Sequence, residues 1–227
     1  MIRVTENFRK IQDLLAKAAA DAGRAADDIR LVAVSKKKPL EAILEVASAG
    51  QRDFGENFVQ EGLEKIRSAA RNDLRWHFIG HLQSNKTKAV AEHFQWVHTI
   101  DRLKIAQRLS EYRPSDAEDL NICIEVNIDG ETQKSGVSVA QTRDLAAAIA
   151  ELPRLKLRGL MCLPAIRHGF DEQRKPFAAL RVLHESLQAQ GHELDTLSMG
   201  MSADYAAAIH EGATIIRIGT GIFGTRS

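Results

Sequence analysis

Short apolar runs alternate with segments of helical periodicity along almost the whole chain. Several runs, such as 31–34 and 122–126, are nearly continuous in hydrophobicity rather than alternating. This pattern is typical of parallel strands that helices cover on the outside of the sheet. The sequence predicts eight strands, at 29–34, 52–55, 76–80, 96–100, 121–128, 157–163, 196–200 and 214–218.

Amphipathic segments lie between these strands, and one more precedes the first strand, with Phe8, Ile11 and Leu15 on one stripe. Repeated strand and helix alternation fits either a closed barrel or an open doubly wound sheet. Eight units without a long linker favour closure. We therefore predict an α/β fold, a (β/α)8 TIM barrel, as a single domain over residues 1–227 with an extra N-terminal helix.

Composition limits the partners of such a barrel. The chain has 31 Lys plus Arg and 30 Asp plus Glu, a formal net charge of +1, so its overall charge predicts no attraction to nucleic acid or to an anionic membrane. Charged residues within the first ten positions argue against a signal peptide, which predicts a cytoplasmic protein. Since barrel packing explains every apolar stripe, we expect a monomer.

Metal and disulfide sites are not favoured. His77 and His81 are four residues apart, but Gly80 ends a predicted strand between them and no third ligand has a suitable spacing. Cys123 and Cys162 each lie within an apolar run, which predicts buried free thiols.

The active residues of a (β/α)8 barrel gather at the C-terminal ends of its strands. The first predicted strand leads into a lysine run, in which Val32, Val34 and Lys36 share one strand parity. If that face is the interior, Lys36 points into the barrel mouth and Lys37 points away. Taken alone, a lysine run before a proline also fits a solvated loop.

Phosphates in this fold usually lie between the loops after strands seven and eight. The first of these loops offers Ser198, Gly200 and Ser202, and Ser202 is the predicted N-cap of a helix at 203–211.

The loop after strand eight has Arg217 beside Gly219 and Thr220. Residues 219–224 also match the dinucleotide fingerprint G-x-G-x-x-G, but too little chain follows for the βαβ unit that the fingerprint needs. A phosphate site remains the better interpretation.

These residues belong to motifs that closely resemble the pyridoxal phosphate homeostasis protein family (YggS/PROSC type), which is related to the barrel domain of alanine racemase. The motifs are VAVSK at 32–36, FGEN at 54–57, WHFIG at 76–80, LQSNK at 82–86, RGLM at 158–161, LSMGMS at 197–202 and RIGT at 217–220. The resemblance covers almost the whole chain and implies a fold type III site for pyridoxal 5'-phosphate (PLP). One departure is Lys37, where a small polar residue is expected.

The resemblance implies a role for each matching residue. Lys36 would form a Schiff base with PLP, and Arg217 would face the pyridine nitrogen. The other cofactor-binding residues are expected to be Ser198, Gly219 and Thr220 at the phosphate and Asn57 and Met161 around the ring. An arginine at the pyridine nitrogen makes the ring a weaker electron sink.

Three functions remain open: a PLP homeostasis protein without efficient catalysis, a racemase-like PLP enzyme, and a phosphate-binding isomerase without PLP. In alanine racemase a second domain contributes a tyrosine base, and neither Tyr112 nor Tyr205 is expected to replace it. An isomerase would need a carboxylate base, for which Glu56 is the candidate, although Glu56 could instead pair with a lysine.

For the homeostasis protein, PLP-dependent apo-enzymes are the expected partners. Lys38 and Lys134 are secondary candidates for amines at which PLP docks during transfer, and an equally good interpretation makes them solvated loop charges.

Overall fold

The computed structural model describes residues 4–224, in which eight parallel strands form a closed barrel. Each strand pairs with the next one along the chain, and the eighth pairs with the first. The strands are β1 Arg30–Val34, β2 Asp53–Glu56, β3 Arg75–Phe78, β4 Trp96–Ile100, β5 Leu120–Glu125, β6 Leu155–Met161, β7 Thr196–Ser198 and β8 Ile215–Ile218. The predicted (β/α)8 barrel is confirmed.

Helices cover the outside of the barrel. They are α1 Val4–Asp21, α2 Leu40–Ser48, α3 Val59–Ala69, α4 Thr87–His93, α5 Leu103–Tyr112, α6 Val139–Ala150, α7 Phe170–Gln188, α8 Tyr205–His210 and α9 Thr220–Phe223. The predicted N-terminal helix is α1, and it buries Phe8, Ile11 and Leu15 against the elements around α8 and α9. No helix in the described part of the chain is long and apolar enough to span a membrane.

Strand parity separates the barrel interior from the surface that the helices cover. One parity places Val32, Trp96, Cys123, Met161 and Ile215 in a cluster inside the barrel. The other parity faces the helices and contributes to the larger core. Both cysteines are buried free thiols, as predicted, and burial raises the pKa of each to about 12.

Strand ends are where prediction and structure differ. Four predicted strands, at 76–80, 121–128, 157–163 and 196–200, continue two or three residues beyond the observed ends. Those extra residues belong to the loops at the mouth, where the backbone turns away from the ladder. Gly200, for example, has a φ of +93°, which a strand does not allow.

The predicted N-cap role of Ser202 is wrong. The eighth helix begins at Tyr205, and its N-cap residue is Asp204. The Asp204 carboxylate accepts a hydrogen bond from the Met201 N–H at 2.6 Å, which closes a turn over the residues that were expected to start the helix. Ser202 therefore lies in an exposed turn.

Candidate functional site

A cavity of about 370 Å³ opens at the C-terminal ends of the strands. Its polar lining comes from the C-terminal ends of four strands, β1, β2, β7 and β8, and the loops that follow them: Lys36, Asn57, Ser202, Arg217, Gly219 and Thr220. Its apolar walls include Val34, Ile79, Met161 and Leu163. An apolar pocket with a few convergent polar groups is the usual form of a small-molecule site.

Lys36 occupies the position that strand parity predicts. Val34 and Lys36 both line the cavity, whereas Lys37 is exposed and places its ammonium 5.8 Å from the centre of the Phe58 ring. Lys38 turns toward α9, where its Nζ donates to the carbonyls of Phe223 and Gly224 at 3.1 Å each. Of the three adjacent lysines, Lys36 alone lines the cavity.

Arg217 projects from β8 into the base of the cavity. Its side chain is buried and donates from Nη1 to the Ser198 hydroxyl at 2.6 Å and from Nη2 to the Cys162 carbonyl at 3.1 Å. Burial lowers the pKa of this guanidinium from its ordinary value, yet an arginine stays protonated at neutral pH. The cavity thus has a fixed cationic donor at its base.

Polar side chains continue below Arg217 through the barrel interior. Ser198 Oγ lies 2.7 Å from His98 Nδ1, His98 Nε2 lies 2.9 Å from His77 Nδ1, and His77 Nε2 lies 2.9 Å from an Asp53 oxygen. All four of these residues are buried. A line of polar side chains therefore runs through the interior, beside the apolar cluster, from the base of the cavity to the opposite end of the barrel.

Ser198 and Thr220 occupy different places. Thr220 and Gly219 line the cavity directly, while the Ser198 hydroxyl lies beneath Arg217 and does not contribute to the lining. The phosphate contact expected of Ser198 stays a prediction, and the geometry favours Ser202 beside Gly219 and Thr220 for this position.

Glycines shape the two sides of the cavity. A Cβ on Gly80 would lie 2.1 Å from the Asn57 carbonyl oxygen, so only glycine lets the loop after β3 pass this close to Asn57. Gly200 combines a left-handed backbone with a Cβ position 2.5 Å from that of Ala208, and its carbonyl accepts from the Arg217 N–H at 3.1 Å. Gly200 thus supports the Arg217 backbone from the loop after β7.

Proteins of a known family are similar to this chain over almost its whole length. The family model of the alanine racemase N-terminal domain matches residues 4–227. A pyridoxal phosphate homeostasis protein of Escherichia coli K12 is 50% identical over 226 residues, which cover 98% of this chain and 97% of that protein. Its counterpart in Pseudomonas aeruginosa is 51% identical over 226 residues, covering 100% and 97%.

The chain belongs to the pyridoxal phosphate homeostasis protein family. A solved structure of PipY from Synechococcus elongatus, with PLP bound, superposes on this family member with a TM-score of 0.80 at 36% identity, covering 92% of this chain and all of PipY. Alanine racemase of Corynebacterium glutamicum shares the fold, with a TM-score of 0.74 at 17% identity, and 61% of its length is covered.

The residues of this homeostasis family member fit PLP. An amine, a buried guanidinium and small donor-rich loops match the aldehyde, the ring nitrogen and the phosphate of that cofactor. In addition, Asn57 lines the cavity, and its Oδ1 is buried without a hydrogen-bond partner among the described residues, as a residue shaped to meet a ligand would be.

The carboxylate candidate of the isomerase hypothesis is engaged elsewhere. Glu56 faces outward from β2, where its Oε1 accepts from Lys65 Nζ at 2.8 Å and from the Ser35 hydroxyl at 2.6 Å. It does not line the cavity. Glu56 therefore pairs with a lysine, as the alternative interpretation expected, and cannot reach a substrate there.

Sequence reasoning missed several interior polar residues of this family member. Asp53 and His98 were not singled out, and Glu125, a buried carboxyl at the end of β5, was overlooked. Glu125 and Lys134 line a second cavity of about 360 Å³ that shares Leu163 and Met201 with the first. Strand parity could have identified Asp53, His98 and Glu125, because each has the same parity as an interior residue of its own strand.

Proposed function

We propose that this chain binds PLP at the barrel mouth, with an imine bond between the cofactor aldehyde and the amine of Lys36, and that it serves intracellular PLP supply. The observation that carries the proposal is the convergence of Lys36, Arg217, Gly219 and Thr220 on one cavity. PipY, which carries PLP in its structure, is 36% identical to this chain.

Each lining group has a task in this proposal. Arg217 would donate a hydrogen bond to the pyridine nitrogen, and because an arginine keeps its proton, it would disfavour protonation of that nitrogen. Thr220 and Gly219 hold the phosphate, with Ser202 at the same edge. Asn57 and Met161 flank the ring. Bound PLP supplies an electrophilic aldehyde that reacts with amines.

We further propose that the protein carries the cofactor without efficient catalysis. The chain has two tyrosines, Tyr112 on α5 and Tyr205 on α8, and neither lines the cavity. Racemization by two bases needs a second proton carrier, and its loss costs about 10²-fold or more in rate. PLP-dependent apo-enzymes as recipients and a cytoplasmic location stay predictions from the sequence.

Borohydride reduction followed by peptide mass mapping tests the attachment. We expect an absorption band from the bound cofactor and a phosphopyridoxyl group on Lys36 alone. Lys36→Ala should lose both while folding normally, and Lys37→Ala is the matched control that should keep both. Modification of Lys37, or none after incubation with excess PLP, would contradict the proposal.

A paired assay tests the absence of catalysis. We expect α-hydrogen exchange of amino acids no faster than with free PLP, and measurable transfer of PLP from the protein to an apo-enzyme. Rapid exchange with one amino acid, abolished by Lys36→Ala, would instead support a racemase-like enzyme.

A further inference from the structure

We propose that the polar side chains inside the barrel form a hydrogen-bond chain with a single direction, from Arg217 at the cofactor cavity to Asp53 at the opposite end. In this chain Ser198, His98 and His77 each accept one proton and donate one. Both histidines are neutral and carry their proton on Nε2. They act as positioning residues for Arg217.

The groups at the two ends of this hydrogen-bond chain, Arg217 and Asp53, fix its direction. Arg217 can only donate, so Ser198 Oγ accepts the 2.6 Å bond from Nη1. At the other end Arg75 donates to both oxygens of Asp53 at 2.8 and 2.7 Å. An ionised carboxylate only accepts, so His77 Nε2 carries the proton of its 2.9 Å bond to Asp53.

The ionised state of Asp53 follows from its surroundings. Burial alone would raise the pKa of this carboxyl, but the hydrogen bonds from Arg75 and His77 outweigh burial and hold the pKa below its ordinary value. Arg30 Nε lies 3.9 Å from the same carboxylate. Asp53 is therefore an anion throughout the neutral range.

With both histidine rings neutral, only one placement of their protons completes the hydrogen bonds in the middle of this hydrogen-bond chain. If His77 Nε2 is protonated, its Nδ1 is a lone pair and accepts from His98 Nε2 at 2.9 Å. His98 Nδ1 is then a lone pair as well, and it accepts the Ser198 proton at 2.7 Å. Each ring nitrogen of His77 and His98, and the Ser198 hydroxyl, thus has a hydrogen-bond partner.

The opposite direction costs more. It would require a cationic His77 that donates to His98, and His98 would then donate to Ser198. The Ser198 proton would have no acceptor among the described residues, and a second cation would lie in the same buried interior as Arg217. Burial lowers the pKa of both rings, for His98 with help from His77 and Arg217.

The hydrogen-bond chain holds Arg217 in place at the cofactor cavity, and this step rests on the proposed function. A hydroxyl that donates to one partner becomes a better acceptor for another, so His98 strengthens the bond between Ser198 and Arg217. The Trp96 ring stacks on His77 at 5.5 Å and holds its orientation. We therefore expect the guanidinium to keep the same position with and without a ligand.

Nitrogen-15 NMR of the histidine rings tests the chain directly, in the protein without PLP. We expect two buried histidines, assigned by His77→Asn and His98→Asn, whose Nε2 is protonated and whose Nδ1 is not. A protonated Nδ1 on either ring would overturn the proposal. This result does not depend on the cofactor, so it stands or falls separately from the proposed function.

A set of variants tests the positioning role. His98→Phe removes both ring nitrogens, and we expect about tenfold weaker PLP binding and a displaced absorption band of the bound cofactor. His98→Asn places an acceptor near the position of Nδ1 and should recover part of the affinity. His184→Phe is the matched control, because His184 is buried on α7 outside the barrel interior.

The outcomes separate the two hypotheses. If wild-type protein binds PLP and His98→Phe binds it no more weakly than His184→Phe does, the positioning role is refuted while the proposed function survives. If wild-type protein binds no PLP, the proposed function fails and the NMR result still decides the direction of the chain. Should His98→Phe fail to fold, Ser198→Ala interrupts the same hydrogen-bond chain, and wild-type PLP affinity with an unshifted absorption band in that variant would refute the role.

Discussion

Two buried charged groups near the barrel mouth, Arg217 on β8 and Glu125 on β5, are treated differently by the fold. Arg217 bonds to Ser198 and to the Cys162 carbonyl. Glu125 is just as buried, but its Oε2 has no hydrogen-bond partner among the described residues. One charge is built into a network, and the other is not.

The difference shows in protonation. Burial raises the pKa of Glu125 from 4.5 to about 7, Asp101 adds to this rise, and Arg217 opposes it. Arg217 stays charged because its ordinary pKa is far above neutral. A charged group with hydrogen-bond partners keeps one protonation state and can position a ligand. A buried carboxyl without partners changes its protonation state near neutral pH, which makes the free energy of unfolding depend on pH.

Glu125→Gln gives the largest expected effect. Below pH 4.5 Glu125 is protonated both folded and unfolded, and the variant should match wild type. As the pH rises to 7 the unfolded state loses its proton first, so wild-type stability falls. Above pH 7 the variant should be more stable by about 3 kcal/mol at most, the value of a shift from 4.5 to about 7. Denaturant unfolding between pH 4.5 and 8 measures this difference.

Glu64→Gln serves as its control. Glu64 is exposed on α3, so loss of its charge should leave the free energy of unfolding nearly the same at every pH. A Glu125→Gln variant without any gain at pH 8 would mean that Glu125 has a partner when ionised, and the contrast with Arg217 would disappear.

Ser198→Ala and Thr220→Ala are expected to have effects of intermediate size, on ligand affinity. They test whether groups bonded to Arg217 help to position a ligand. Each should weaken PLP binding by about 1 to 2 kcal/mol. Because Ser198 bonds to Arg217, Ser198→Ala should weaken pyridoxal binding as well, whereas Thr220→Ala should affect PLP far more than pyridoxal. Titration of both variants with both ligands decides; equal losses for both ligands in Thr220→Ala would place the phosphate elsewhere.

The sequence predicts the barrel well and the interior less well. Continuous apolar runs locate all eight strands, and parity places Lys36 in the cavity. Strand ends are less certain, because residues such as Gly200 turn into loops through φ values that the hydrophobic pattern does not record. The hydrogen-bond chain from Ser198 to Asp53 was missed because its members lie on four different strands, and only barrel closure brings Ser198 on β7 to His98 on β4.

Lys134→Ala has the smallest expected effect on stability. It tests whether Lys134 is a partner of Glu125. Lys134 lines the same cavity as Glu125, but its Nζ pairs with Glu131 Oε1 at 2.6 Å, and both side chains are about 30% exposed. A pair of this kind contributes less than about 1 kcal/mol, so Lys134→Ala should change stability little and leave the pH dependence due to Glu125 intact.

If Lys134 also receives PLP on its way out, its loss should slow transfer to an apo-enzyme by about two- to threefold, since one partly exposed charge has a modest effect on an encounter. Lys104→Ala, an exposed lysine on α5, is the matched control. Lys38→Ala should affect stability more, because Lys38 holds the carbonyls of Phe223 and Gly224 at the end of α9. Unchanged transfer in Lys134→Ala would leave Lys134 as a loop charge, and a shift of the Glu125 transition would show that the two groups interact after all.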